Sequence, residues 1–226
     1  MRLLAFFLLL CPAAQARWIP FDAFRFQLVD EAERDPSFHQ FRLGLERAID
    51  RRDVKALLTA VSNTVVMSLL DKSKSGKAAF VREWRLASPQ PRESELWDNL
   101  REVLRLGGTF EEGQFAAPYV FSRWPARFPH LDFYAVTARS ALVYKSASEN
   151  SGVLETLRQE IVGRFDEMPN PPGWRAVRTP SGITGFVRAE DTRSPLGWRA
   201  IFGREQGSWK LKLFAAGDWE AHERFE

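Results

Sequence analysis

The sequence contains one cysteine, Cys11, and it lies in a segment that we expect the mature protein to lose. Arg2 gives the chain a basic start, residues 3–10 form a short apolar run, and a small-x-small pattern of the kind that signal peptidase cleaves ends at Ala16. We therefore predict a signal peptide over residues 1–16, with cleavage near Ala16, and a periplasmic or secreted mature chain.

Loss of that segment leaves a mature chain without cysteine. This excludes a disulfide and a thiolate nucleophile, and with the nucleophile it excludes the cysteine peptidases and transpeptidases that act on cell walls. No later apolar run approaches the roughly 20 residues that a membrane-spanning helix needs, so we predict no transmembrane segment in the mature chain. Stability must come from packing, for which 45% hydrophobic residues, with 8 Trp and 18 Phe, are sufficient.

Histidine is also scarce, and the catalytic motifs that a sequence can reveal are missing. The three histidines are His39, His130 and His222. They are isolated from one another and form no ligand spacing for a metal, and no serine-hydrolase elbow or nucleotide-binding glycine loop occurs. Paired carboxylates at Asp50 with Asp53 and at Glu111 with Glu112 fit a helix end and a loop. We therefore predict no enzymatic activity, no metal and no cofactor.

Lysine is rare beside arginine, with 7 Lys against 25 Arg, and the isoelectric point is about 9.2. The arginines are scattered along the chain rather than concentrated in one stretch. A nucleic-acid-binding protein is expected to carry a concentrated basic patch, so we predict no nucleic-acid partner.

The first half, residues 17–126, has the pattern of a mainly helical α+β domain. Asp35 is placed to cap a helix that begins at Pro36, and Asp53 to cap a second helix. The first of these has apolar residues at helical spacing: Phe38, Phe41, Leu45, Ala48 and Ile49. Later elements are predicted as a buried strand over 65–70, helices over 78–86 and from 95 to Gly107, an extended segment over 114–125 with Pro118 at a sheet edge, and a linker over 122–131.

The second half changes to short β-type runs separated by Gly, Pro, Asn and Ser, which indicates a small all-β unit over residues 133–194. Within it, Trp174 and Val177 enter a turn, and Gly185 is placed to let a strand approach closely, or to form a bulge, before Phe186 and Val187 return to the core. This order of W-x-x-V, turn and G-F-V resembles the bacterial SH3-like domain of secreted and cell-envelope proteins over about residues 133–191.

The resemblance implies an SH3-like barrel that binds peptidoglycan, a wall-linked peptide or an envelope protein. In the first loop, residues 141–148 depart from the family pattern, because Tyr144 stands in place of an arginine and the Gly-Pro turn is absent. The aromatic candidates for a ligand groove are Tyr144, Trp174 and Phe186. For Trp174 the residues leave two interpretations open, packing at the barrel rim or contact with a ligand.

The C-terminal part, residues 195–226, contains two alternating strands joined by "GREQGS", which predicts a β-hairpin. A lone hairpin is unstable in water, so it must pack on another element. It either extends the barrel or returns to pair with strands near 65–70 and 115–121. We favour the second arrangement, which resembles the closing strands of cone-shaped α+β domains of the nuclear transport factor 2 and cystatin-like type and makes the barrel an insertion.

These patterns favour a non-enzymatic binding protein of the cell envelope. The alternative is a small-molecule-binding protein or enzyme whose apolar pocket lies in the N-terminal domain, and a third possibility is a structural adaptor for an envelope protein. The side chains proposed to line that pocket are Trp84, Trp97, Phe115 and Tyr119.

Overall fold

The structure is a computed structural model that describes residues 20–217, so the predicted signal peptide and His222 lie outside the described residues. This part of the chain forms five α-helices and two β-sheets, which is an α+β fold as predicted. No helix in this range is long and apolar enough to cross a bilayer. The helices are α1 (Pro36–Asp50), α2 (Val54–Ala60), α3 (Lys77–Glu83), α4 (Leu96–Arg105) and α5 (Tyr119–Ser122).

Twelve strands of residues 20–217 belong to the two sheets. They are β1 (Val61–Val66), β2 (Thr109–Glu111), β3 (Gln114–Ala117), β4 (Phe133–Val136), β5 (Ala141–Tyr144), β6 (Val153–Leu157), β7 (Ile161–Arg164), β8 (Trp174–Arg178), β9 (Thr184–Arg188), β10 (Thr192–Arg193), β11 (Arg199–Glu205) and β12 (Ser208–Ala215). The five-stranded sheet has the order β1-β12-β11-β3-β2, and the seven-stranded sheet has the order β10-β4-β7-β8-β9-β5-β6.

The predicted helix caps of α1 and α2 are confirmed. The Asp35 carboxylate accepts hydrogen bonds from the backbone N–H groups of Ser37 and Phe38, at 2.8 and 3.0 Å. Asp53 accepts one from the N–H of Ala56, at 3.0 Å. Both carboxylates satisfy amide groups that have no partner inside their own helices, so both helix starts were readable from the sequence.

The buried strand predicted over residues 65–70 is wrong in its position. The strand β1 ends at Val66, and Leu69 and Leu70 are 51% and 50% exposed. The Ser68 hydroxyl accepts hydrogen bonds from the N–H groups of Leu70 and Asp71, which turns the chain away from the sheet. A short side-chain-to-backbone bond of this kind competes with strand pairing.

The edge position predicted for Pro118 is also wrong. The strand β3 ends at Ala117 and lies inside its sheet, between β2 and β11. Pro118 follows the last paired residue and begins the turn into α5. Its missing N–H therefore costs no hydrogen bond of the sheet, and the proline does not need an edge.

The C-terminal hairpin, β11–β12, lies in the five-stranded sheet. The strand β12 pairs in parallel with β1, and β11 pairs antiparallel with β3. Residues 133–193 therefore form an insertion between β3 and β11, which is the arrangement that the sequence analysis favoured. Helices α1, α3 and α4 contribute buried side chains to the core of this sheet, among them Phe38, Phe80 and Trp97.

The seven-stranded sheet has its own small core, made largely of valines on alternating positions. A short 3₁₀ turn at Ala189–Asp191 returns the chain, and β10 then pairs with β4, the first strand of this unit. Gly185 lies where β9 meets β5, and a Cβ there would lie 2.6 Å from the carbonyl oxygen of Tyr144. The close strand approach predicted at Gly185 is confirmed.

A third apolar cluster joins the two sheets. The segment predicted as a linker, 122–131, is packed rather than free, because Trp124 and Phe128 belong to this cluster together with Phe26 and Tyr119. The N-terminal segment also bonds to both units. Its backbone bonds are Phe26 N–H to Gln159 O at 2.6 Å, Ile161 N–H to Phe24 O at 3.1 Å, and Glu31 N–H to Gly108 O at 2.9 Å. The cluster therefore packs β4 and β7 of the seven-stranded sheet against α5 and Leu106 of the other unit.

Candidate functional site

The three aromatic candidates meet on the outer face of the seven-stranded sheet. Tyr144 ends β5, Trp174 begins β8 and Phe186 lies in the middle of β9. Phe186 is the register partner of both Tyr144 and Ala176, which places these residues on one face. The rings of Tyr144 and Trp174 lie 5.4 Å apart, edge to face at 90°. We refer to Tyr144, Trp174 and Phe186 as the aromatic face.

Accessibility separates the members of the aromatic face. Phe186 is 7% exposed and Tyr144 is 9% exposed, so both mainly support the sheet. Trp174 is half-buried and is the ring of this face that a ligand can reach. Edge-to-face contact with Tyr144 holds the Trp174 ring in place, so the side chain loses less conformational entropy when a ligand binds.

Arg188 lies beside Trp174 and was not identified from the sequence. It is the register partner of Trp174, and its guanidinium carbon lies 5.3 Å from the centre of the indole ring. The same guanidinium group forms ion pairs with Glu149 at 3.6 Å and with Glu190 at 3.4 Å. The strand alternation gave one usable clue, since Arg188 follows Phe186 by two residues and must share its face.

The hairpin β5–β6 carries exposed apolar side chains at the edge of the sheet, and Val153 among them is the register partner of Tyr144. Leu142 is 36%, Val153 is 52% and Leu154 is 42% exposed. All three lie on the hairpin β5–β6, and β6 is an edge strand of its sheet. Natural proteins normally protect an edge strand with charges or a covering element, so an exposed apolar edge next to an accessible tryptophan indicates a binding surface.

The loop between β5 and β6, residues 145–152, is ordered by hydrogen bonds of serine side chains. The Ser151 hydroxyl donates to the carbonyl of Ser148 at 2.8 Å and accepts from the N–H of Ser146 at 3.2 Å. The ends of the loop are joined by Lys145 N–H to Gly152 O at 2.9 Å. This loop presents Glu149 to Arg188, so its fold determines the polar border of the aromatic face.

The pocket considered for the N-terminal domain does not form from the four side chains named for it. Trp97, Phe115 and Tyr119 are fully buried, and Trp84 is 8% exposed. Trp97 and Phe115 belong to the core of the five-stranded sheet, whereas Tyr119 belongs to the cluster between the sheets. Burial raises the pKa of Tyr119 to about 12. These side chains fill cores and leave no shared cavity for a ligand.

The aromatic face offers stacking, cation–π contact and hydrogen bonding, which are the means of recognition rather than of bond cleavage. Across residues 20–217 no three His, Cys, Asp or Glu side chains are grouped to hold a metal ion. No protein-family model, curated protein or solved structure matches this chain. Its function is therefore argued from the geometry of its own residues.

Proposed function

We propose that this protein is a periplasmic or secreted non-enzymatic binding protein. Its SH3-like domain, residues 133–191, binds peptidoglycan, a wall-linked peptide or an envelope protein. The binding surface is the aromatic face together with Arg188 and the exposed apolar residues of the hairpin β5–β6. The observation that carries the proposal is the accessible indole of Trp174, held between Tyr144 and Arg188 next to an exposed apolar edge.

The course of the chain supports an SH3-like domain. The unit begins with β4, extends the long hairpin β5–β6, and continues through the meander β7–β8–β9. A 3₁₀ turn then leads into β10, which pairs with β4. Such a small barrel-like unit holds its loops on a packed core, and loops on a rigid scaffold are where binding residues are most often found.

The chemistry of the surface supports a sugar or peptide ligand. The flat face of an indole stacks on the apolar face of a sugar ring or on a peptide side chain, and Arg188 lies over one face of the Trp174 ring. Arg188 and Glu149 supply hydrogen-bond donors and acceptors at the border of the indole. An exposed apolar edge strand adds backbone N–H and C=O groups to which an extended peptide can pair.

Co-sedimentation of the purified protein with peptidoglycan sacculi tests the proposal. We expect saturable sedimentation that Val153→Ser and Trp174→Ala both weaken, because Val153 is 52% exposed and is the register partner of Tyr144. Leu70→Ser is the matched control, because Leu70 is 50% exposed and lies on the loop after β1, outside the seven-stranded sheet. Tyr144→Ala is a poor choice, since truncation of a buried aromatic side chain costs about 3–5 kcal/mol of stability.

Four outcomes separate the possible functions. Sedimentation that Val153→Ser weakens and Leu70→Ser preserves supports wall binding through the aromatic face. Equal loss in both variants contradicts a site on this face. Release of soluble fragments from the sacculi contradicts the non-enzymatic part of the proposal, and absence of sedimentation together with one stoichiometric co-purified protein favours the envelope-protein ligand over peptidoglycan.

A further inference from the structure

A basic groove lies where the N-terminal segment crosses the end of the hairpin β5–β6. It has a volume of about 520 Å³ and receives residues from three separate parts of the chain. Its lining residues are Arg25, Gln27, Leu28, Arg139, Arg158 and Gln159. We refer to it as the three-arginine groove.

The arginines of this groove carry charge that no carboxylate of residues 20–217 neutralises. Arg25, Arg139 and Arg158 are all exposed, and none of them forms an ion pair with a carboxylate of residues 20–217. Many other arginines of this part of the chain are paired, as Arg42 is with Asp30 at 2.6 Å. Guanidinium groups of like charge repel one another, so bringing three together without a carboxylate is unfavourable unless an anion neutralises them.

The nearest carboxylate along the chain, Glu160, is already engaged. Its Oε1 accepts a hydrogen bond from the backbone N–H of Arg158 at 2.9 Å. Glu160 also forms the β-bridge with Arg25 through the backbone. The carboxylate is thus held against the turn at Arg158, and it is absent from the residues that line the groove.

The backbone around the groove is fixed in advance of any ligand. Phe26 N–H donates to the carbonyl of Gln159 at 2.6 Å, which joins the segment carrying Arg25 to the segment carrying Arg158. Gln159 itself has a φ of +48°, a left-handed conformation that a residue with a side chain adopts only when its surroundings enforce it. Arg25 and Arg158 therefore start from anchored backbone positions, and a ligand needs to order only their side chains.

A larger groove, of about 880 Å³, lies on the same unit and differs from the three-arginine groove in the charge of its lining residues. It is lined by three arginines and also by four carboxylates, so its charge selects neither cations nor anions. The carboxylates are Asp22, Asp132, Asp166 and Glu167. The three-arginine groove has no acidic lining residue, and two glutamines add further amide donors.

We propose that the three-arginine groove binds a phosphate group. Guanidinium groups pair with oxyanions through two parallel N–H···O bonds, and arginine is preferred wherever phosphate or carboxylate is recognised in this way. A carboxylate has two oxygens and one charge, whereas a phosphate or pyrophosphate has enough oxygens and charge to engage three arginines together. The site is separate from the aromatic face and does not depend on the function proposed for it.

Isothermal titration calorimetry with inorganic pyrophosphate tests this site on the full protein. We expect saturable binding that Arg158→Gln and Arg139→Gln each weaken by about tenfold or more, the loss expected from one charge-assisted contact. Arg47→Gln is the matched control, because Arg47 is an exposed arginine on helix α1 and forms no ion pair with residues 20–217. Circular dichroism of each variant establishes that the fold is retained.

Citrate and lipid vesicles define the chemistry and its source. Binding of citrate as tight as that of pyrophosphate contradicts a phosphate site, and so does an equal weakening by Arg158→Gln and Arg47→Gln. Absence of saturable pyrophosphate binding to the unaltered protein overturns the proposal. If vesicles of phosphatidic acid in phosphatidylcholine sediment the protein and Arg158→Gln abolishes this, the phosphate belongs to a lipid headgroup. If pyrophosphate binds and the vesicles do not, it belongs to a soluble ligand.

Discussion

Replacement of Gly185 by alanine should destabilise the seven-stranded sheet at the contact between β5 and β9. The added Cβ would lie 2.6 Å from the carbonyl oxygen of Tyr144 and 2.7 Å from Cγ1 of Val143. Ordinary contact begins near 3.4 Å, so the strands must separate by about 0.8 Å. The carbonyl belongs to the backbone, and Tyr144 is the register partner of Phe186 on the neighbouring strand, so this movement disturbs the sheet itself.

The size of the effect follows from two opposed contributions. Overpacking of a well-packed site costs typically 1–3 kcal/mol, and alanine gains roughly 0.5–1 kcal/mol over glycine inside a strand. We expect Gly185→Ala to lose about 1–2 kcal/mol of the free energy of unfolding. Gly203→Ala in β11 is the matched control, since its Cβ would meet only side-chain atoms at ordinary contact distance, Cγ of Lys212 at 3.4 Å and Cγ of Gln114 at 3.8 Å. That variant should be neutral or slightly more stable.

Urea unfolding measures both variants, and near-ultraviolet circular dichroism reports on the edge-to-face pair of Tyr144 and Trp174. A lower midpoint with an unchanged slope for Gly185→Ala, and no such loss for Gly203→Ala, agrees with the reasoning. If Gly185→Ala is as stable as Gly203→Ala, the strands do not approach as closely as described, and the supporting geometry of the aromatic face must be revised.

Three further predictions concern the rest of the fold. A hydrogen bond from Lys212 lowers the pKa of Glu205 to about 2, below its unfolded value near 4.3. The ionised carboxylate therefore stabilises the folded state fully above about pH 4.3, and this stabilisation is lost as the pH falls through 2. The urea midpoint of Glu205→Gln should therefore change less between pH 4.3 and 2 than that of the unaltered protein, and an identical pH profile would refute the assignment. Truncation of Trp97 to alanine should cost about 3–5 kcal/mol in the same assay, because the side chain is fully buried, and a loss below 1 kcal/mol would contradict a filled core. Phe128→Ala should open the segment 122–131 to limited proteolysis that the unaltered protein resists, since Phe128 anchors it between the sheets; rapid cleavage of both proteins would mean that the segment is a free linker.

Local signals in the sequence predicted much of the secondary structure. The caps at Asp35 and Asp53 were readable because a helix start depends on the few residues around it. Gly107 was expected to end the fourth helix, and it has a φ of +62° just after that helix ends. The prediction was wrong where contacts distant in the sequence determine the structure. At Pro118, a proline can follow a central strand because the hydrogen-bonded pairing of β3 with its neighbours ends at Ala117.

The candidate site was only partly predictable. Trp174 was identified from the W-x-x-V pattern, but its accessibility and that of Phe186 depend on the residues that cover them. Arg188 was missed because its place in the site depends on its pairing with Trp174 on the neighbouring strand. The three-arginine groove was missed because Arg25 and Arg158 are far apart in the sequence, and a scattered set of arginines gives no local sign of convergence.

The sequence by itself determined the α+β class, the helix starts and the strand-forming second half, because these depend on periodicity and on contacts between near neighbours. Only the tertiary structure decided that the C-terminal hairpin completes the first sheet, that residues 122–131 join the two sheets, and that three arginines share one groove. Each of these depends on contacts between residues distant in the chain, whose free energy is set by the packing of the whole molecule rather than by local preference.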